Sequence, residues 1–150
     1  MIRRLIPLVL AAGCADDGKL LSKLDGEWQG EFVDGATTVP MLAEFEWRKD
    51  EDLLFGQVSI QVPGEAAASI WAVRRWDVQG DEAFLDLTDG ADITRGMDLD
   101  GPVSDKSFSG SCDISIPCPA GNCGYAGRFE LSPGGPGLTT PPTPTTDTGA

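Results

Sequence analysis

From residue 24 onward, apolar and polar side chains alternate in short runs, and each run ends at a turn. The first run reads Leu-Asp-Gly-Glu-Trp-Gln-Gly-Glu-Phe-Val over residues 24–33. Its Asp25-Gly26 turn opens into a strand in which Trp28, Gly30 and Phe32 share one face and Gln29 and Glu31 the other. The pattern recurs and predicts eight strands, at 27–33, 40–48, 53–62, 68–78, 83–88, 93–99, 107–116 and 125–131. Between them lie Asp34-Gly35, Lys49-Asp50-Glu51-Asp52, Pro63-Gly64, Gln79-Gly80-Asp81, Asp89-Gly90, Asp100-Gly101-Pro102 and the loop at 118–123. None of these connections is long enough for a parallel crossover helix, so neighbouring strands are sequential hairpins. The expected fold is all-β, an antiparallel up-and-down meander of about eight strands closing into a barrel, with a β-sandwich as the alternative.

The seventh strand alternates most cleanly, with Phe108, Gly110, Cys112, Ile114 and Ile116 against Ser107, Ser109, Ser111, Asp113 and Ser115. In the eighth, Tyr125, Gly127, Phe129 and Leu131 alternate with Ala126, Arg128 and Glu130. Placing Cys118 opposite Cys123 sets Ile116 against Tyr125, Ile114 against Gly127 and Cys112 against Phe129, and directs Arg128 outward to Asp113. Strand four is ambiguous, because Trp71, Val73 and Arg75 offer one inner face and Ile70, Ala72, Arg74 and Trp76 the other.

The ends of the chain have a different composition. Residues 1–13 combine Arg3 and Arg4 with the apolar run Leu5 to Ala12, the pattern of a secretory signal and too short to span a bilayer. That run ends in Leu10-Ala11-Ala12-Gly13-Cys14, which resembles the lipobox of bacterial lipoproteins. The resemblance implies that Cys14 becomes a lipidated N-terminus and that the protein sits in the bacterial cell envelope, with Ala15 after the Cys favouring the outer membrane. An ordinary signal peptide cut nearby is the alternative. On this reading 14–23 is a tether, 24–132 the barrel and 133–150 a disordered tail rich in Thr and Pro, whose removal leaves stability unchanged.

Gly26-Glu27-Trp28 at the head of an eight-stranded meander resembles the lipocalins and their calycin relatives, some of which are bacterial lipoproteins. The resemblance implies that Trp28 closes one end of a calycin-like barrel and that a basic residue near the last strand, here Arg128, packs across it.

Charge narrows the partners. The formal charge of -13 falls to -15 once the leader is removed, with nine Lys and Arg against 24 Asp and Glu, which disfavours nucleic acid and peripheral attraction to anionic lipid. Membrane attachment therefore depends on the lipid anchor. The remaining partner is a small apolar or anionic ligand or another envelope protein.

Candidate chemistry is sparse. The chain contains no His, which excludes Ser-His-Asp and Cys-His triads, and it has no nucleophile elbow, Walker loop or dinucleotide fingerprint. Carboxylate pairs of the kind used by glycoside hydrolases carry no weight among 24 acids, so no catalytic residue, metal ligand or cofactor is assigned. Asp98-Leu99-Asp100-Gly101 has the start of a calcium loop but has Gly96 and Ser107 where further acids are needed. In an exported chain, Cys118 and Cys123 pair across the last hairpin with Cys112 buried; pairing of Cys112 with either is the alternative. Trp28, Trp47, Trp71, Arg75 and Arg95 are candidates to line a ligand cavity, Trp76 extending the aromatic set. Arg95 alternates with Ile93, Met97 and Leu99, so it points inward, where a guanidinium needs an acid or an anionic ligand.

Overall fold

The computed structural model describes residues 18–138. A short helix, α1, covers residues 18–24. It is followed by β1 (Gly26–Asp34), β2 (Thr37–Arg48), β3 (Leu53–Ile60), β4 (Ser69–Gln79), β5 (Glu82–Asp89), β6 (Asp92–Pro102), β7 (Phe108–Ser115), β8 (Pro117–Cys118), β9 (Gly121–Asn122) and β10 (Tyr125–Pro133). The eight long strands form a closed antiparallel barrel in which each pairs with its neighbour in sequence and β10 returns to β1. The meander is thus a barrel and not a sandwich. Strands β8 and β9 form a separate small hairpin between β7 and β10.

Closure depends on a close approach along the β1–β10 seam, where Trp28 to Val33 pair with Pro133 to Arg128. A Cβ at Gly30 would run into the Glu130 carbonyl, so glycine there lets the two backbones meet. Inward side chains fill the barrel. Trp28, Phe32, Phe45, Trp71, Phe108 and Phe129 are fully buried. Phe108 packs edge-to-face on Phe129 at 4.8 Å and on Phe45 at 6.4 Å between ring centroids.

One end, the helix end, is capped by α1, whose Leu20, Leu21 and Leu24 join the core. Their spacing puts them on one helical face while Lys19, Ser22 and Lys23 are exposed. Trp28 Nε1 donates to the Leu24 carbonyl at 2.7 Å, tying the helix to β1. The expected tether at 14–23 therefore gives way to barrel structure from residue 18. The other boundary moves as well. After β10, Gly134 N donates to the Glu27 carbonyl at 2.7 Å and Leu138 N to Glu44 at 3.1 Å, and Leu138 is only 3% exposed. The chain thus packs against the barrel beyond residue 133, because Leu138 has apolar surface to cover.

The opposite end, the loop end, is crossed by residues 61–68 between β3 and β4. Val62 is buried there, Tyr125 Oη donates to the Pro63 carbonyl at 2.8 Å, and Gln61 Nε2 donates to the Glu65 carbonyl at 2.7 Å. Gly64, at φ +89°, makes the turn.

Two expectations about register are corrected. Tyr125 pairs with Ile114 and Gly127 with Cys112, two residues from the expected pairing, so Arg128 faces Ser111 and Ala126 faces Asp113. The cause is the β8–β9 hairpin: Cys118 lies opposite Gly121, and the Cys118–Cys123 disulfide runs diagonally with its Cα atoms 5.9 Å apart. A shift of two keeps every side chain on its expected face. Strand β4 carries a bulge between Val73 and Arg75. Trp71 and Val73 point inward before it, and Trp76 and Val78 pack into the core after it, so each of the two candidate faces holds for half the strand.

Candidate functional site

The five residues expected to line a cavity are not gathered around one. Trp28 and Trp47 lie at the helix end, the first 1% exposed, the second half-buried with its backbone N–H on Asp25 at 3.0 Å. Trp71 and Arg95 meet at the loop end. Arg75 stands on the outside, 73% exposed, because the β4 bulge turns it away from Trp71. Cys14 lies outside the described residues. Arg128 is exposed beside Val33, five positions along β1 from Trp28, so the contact implied by the family resemblance is not made.

The loop end holds the more organised polar group. Arg95 is 17% exposed, and its guanidinium lies 5.2 Å from the Trp71 ring centroid. Nη2 donates to Glu65 Oε1 at 2.9 Å, while Nε lies 3.1 Å from Oδ2 of Asp89, a carboxylate only 4% exposed. That second contact is an ion pair without the alignment of a hydrogen bond, which leaves Nε–H unsatisfied. The hydrogen bond to Glu65 raises the Arg95 guanidinium above its ordinary value, against burial, and the charges of Glu65, Asp89 and Asp92 act the same way. Asp89 also accepts from Ala91 N at 2.9 Å, and Trp71 Nε1 donates to Ser69 Oγ at 2.8 Å.

The sequence places Arg95 inside and requires an acid for it, but identifies neither Glu65 nor Asp89. Asp89 lies opposite Trp71 in the β4–β5 ladder. A shallow hollow of about 600 Å³ opens beside the group, walled by Ala66, Ala68, Ile70 and Ala72, with Glu65, Asp89 and Arg95 at its polar end.

A second group lies on the outer face, and the sequence gives little notice of it. Arg74 and Arg75 both reach Oδ2 of Asp86, with Nη2 of each at 2.8 and 2.9 Å. Asp86 lies opposite Asp98, and Asp98 opposite Asp113, so three carboxylates form one row across β5, β6 and β7. Burial pushes Asp86 up, but hydrogen bonds from Arg74 and Arg75 outweigh it and hold the carboxyl below its ordinary value. Asp98 moves the other way, raised first by burial and then by the charges of Asp86 and Asp113. Consecutive arginines flanked by Trp71/Val73 and Trp76/Val78 are the visible sign of the bulge that brings both outward.

Burial, with Asp113 and Asp98 nearby, pushes the Cys112 thiol far up, so it is no nucleophile. Among the described residues no group of three His, Cys, Asp or Glu side chains is arranged to hold a metal ion. The arginine groups can form ion pairs and hydrogen bonds, and neither sets a nucleophile beside a base. No protein-family model matches the chain, and no curated protein or solved structure shows significant similarity to it.

Proposed function

We propose that this chain is a non-catalytic, lipid-anchored protein of the bacterial cell envelope, in the outer membrane, whose lipocalin-like barrel serves as a structural or protein-interaction domain without an internal ligand. One observation supports this above the others: the interior is occupied by its own side chains. Phe45, Phe108 and Phe129 stack across it, Trp28 and Trp71 are buried at opposite ends, and α1 and residues 61–68 close those ends. A carrier of the same architecture needs an enclosed apolar space of some hundreds of Å³.

The test is titration of the full-length chain with a long-chain fatty acid and with a neutral apolar fluorophore, read by tryptophan fluorescence and thermal unfolding. Neither ligand should give a saturable change. Saturable binding that quenches Trp28 or Trp71 would overturn the reading. The anchor is tested separately: Cys14→Ser should release the protein from membranes, and retention would refute it.

A second reading, binding of a small ligand, is favoured by the meeting of Trp71, Arg95 and the hollow of about 600 Å³ beside them. Such a ligand would sit on the outside of the barrel at its loop end and compete with Glu65 for Arg95. Glu65→Gln should then increase the affinity of an anionic ligand, and unchanged affinity would refute it.

A further inference from the structure

We infer that the helix end of the barrel is the surface held against the membrane, with its lysines among the lipid headgroups and the loop end turned away. This rests on the lipid-anchor reading of Cys14. The first argument is chain length. Only Ala15, Asp16 and Asp17 separate Cys14 from Gly18, where α1 begins, and four residue steps span at most about 14 Å when fully extended. Strand β4, with 11 residues, rises roughly 28 Å along the barrel axis at a strand tilt of about 40°. The tether is about half that height, so it holds the end that α1 caps next to the bilayer.

Charge placement is the second argument, and it is independent of the first. The chain has four lysines, and all four lie at the helix end. Lys19 and Lys23 are on the outer face of α1, Lys49 is in the β2–β3 turn, and Lys106 is in the connection between β6 and β7. Each is exposed. The loop end has no lysine, and its Arg95 is committed to Glu65 and Asp89. Exposed acids, among them Asp25, Glu27, Asp50, Glu51, Asp52, Asp81, Glu82 and Asp105, outnumber the lysines at the helix end, so the lysines act one by one and not as a net positive surface. A lysine carries its ammonium on a four-carbon flexible stem, further out than a carboxylate on one or two carbons, so a headgroup phosphate meets the ammonium first. A lipid surface suits this arrangement better than a folded protein would, since it needs no fixed geometry.

The experiment places the lipidated full-length protein on vesicles of phosphatidylethanolamine and phosphatidylglycerol and compares it with Cys14→Ser in solution. An amine-reactive acylating reagent is applied to both, and each lysine is quantified by mass spectrometry. A second variant in each background, Ile93→Cys, reports the loop end through maleimide labelling. Ile93 is 81% exposed, Cys112 is buried and Cys118 is bonded to Cys123, so the new thiol is the reactive one. The expected result is a severalfold slower acylation of Lys19, Lys23, Lys49 and Lys106 on vesicles, with maleimide labelling at position 93 unchanged. Vesicle-bound protein whose lysines react at the solution rate overturns the inference and leaves the anchor standing. Protection at position 93 in place of the lysines overturns it too. Lipidated protein that fails to sediment with vesicles overturns the anchor reading and this inference with it.

Discussion

Replacing Phe108 by alanine tests whether the barrel interior is a packed core. Phe108 is fully buried on β7 and touches both other rings of the aromatic stack, edge-to-face at 4.8 Å to Phe129 and 6.4 Å to Phe45. A buried Phe→Ala change typically costs about 3–5 kcal/mol, the sum of lost transfer free energy and the cavity left behind. Two ring pairs, each worth roughly 0.5–1.5 kcal/mol, place Phe108 in the upper half of that range. The surrounding sheet is a closed barrel, paired on both sides of β7 to β6 and β10, and has little freedom to collapse into the gap. Against a total stability of about 5–15 kcal/mol for a domain, a loss of roughly 4 kcal/mol removes much of the margin. The measurement is urea unfolding at neutral pH with the disulfide intact, followed by the fluorescence of the buried Trp28 and Trp71. The midpoint should fall with the slope unchanged, because the surface exposed on unfolding is nearly the same. A cost below about 1.5 kcal/mol would mean that the ring lies beside empty space, and the filled-barrel argument would fail.

Arg95→Met leaves the buried Asp89 carboxylate without its cation and should cost about 3–5 kcal/mol, whereas Arg95→Met with Asp89→Asn should recover more than half of that in thermal or urea melts; a double variant no more stable than the single would refute the pairing. For pH dependence, the raised Asp98 contributes stability that is fully present below its ordinary value of 3.8 and lost as pH rises through the folded-state value. Asp98→Asn should therefore stabilise the protein by about 0.5–1 kcal/mol at pH 7, where it removes like charges opposite Asp86 and Asp113, and the gain should vanish by pH 3; a larger gain at pH 3 would reverse the argument. Asp86 has the opposite sign, since its lowered value means that its contribution is present above 3.8 and lost as pH falls, so Asp86→Asn should destabilise at pH 7 and converge on the parent protein in acid. Ending the chain at Ser132 in place of Leu138 should cost roughly 1.5–3 kcal/mol, the burial of one leucine, and equal stability of the two truncations would contradict the packing of Leu138.

The strands were legible because a half-buried strand shows its face at every second residue, and the eight expected runs coincide with β1–β7 and β10 to within a few residues at their ends. Core membership followed from the same alternation, as Phe108, Cys112, Ile114, Phe129 and Leu131 show. What escaped was information that a period of two does not carry. The change from Trp71 and Val73 to Trp76 and Val78 is a change of parity, the signature of one inserted residue, and treating it as a choice between faces hid the bulge and the outward turn of Arg75. Register depends on turn geometry, so the tight turn at Pro119-Ala120 moved the last hairpin by two residues while leaving its faces intact. Leu20 and Leu21, in the stretch read as a tether, and Leu24 just after it sit at helical spacing, a signal that was present but short. The Glu65–Arg95 pair joins residues 30 apart across the loop end, and only the closed fold brings them together.

Closure also limits how this protein can meet a partner. With β10 paired to β1 the sheet closes, and recognition by strand addition is left only the β3–β4 seam, where Gln57–Ile60 pair with Ser69–Ala72 and the rest of the two strands does not pair across it. The interior is occupied, and the outer face of β5 to β7 carries the Asp86–Asp98–Asp113 row, which repels any acidic surface and is relieved only on its β4 side by Arg74 and Arg75. Uncharged contacts of low desolvation cost are therefore found at the loop end and at Phe55 on β3, which is 41% exposed. The helix end carries exposed lysines and acids. The loop end is different in kind: residues 66–68, Ala91 and Ile93 are exposed and uncharged around an arginine already neutralised by its own acids. A partner docking there gives up little hydration, whereas one docking on the β5–β7 wall must desolvate carboxylates. If the chain has a protein partner, substitutions at Ile93 should weaken the complex more than substitutions at Asp113, which is also exposed, and the reverse order in a binding assay would move the interface to the wall.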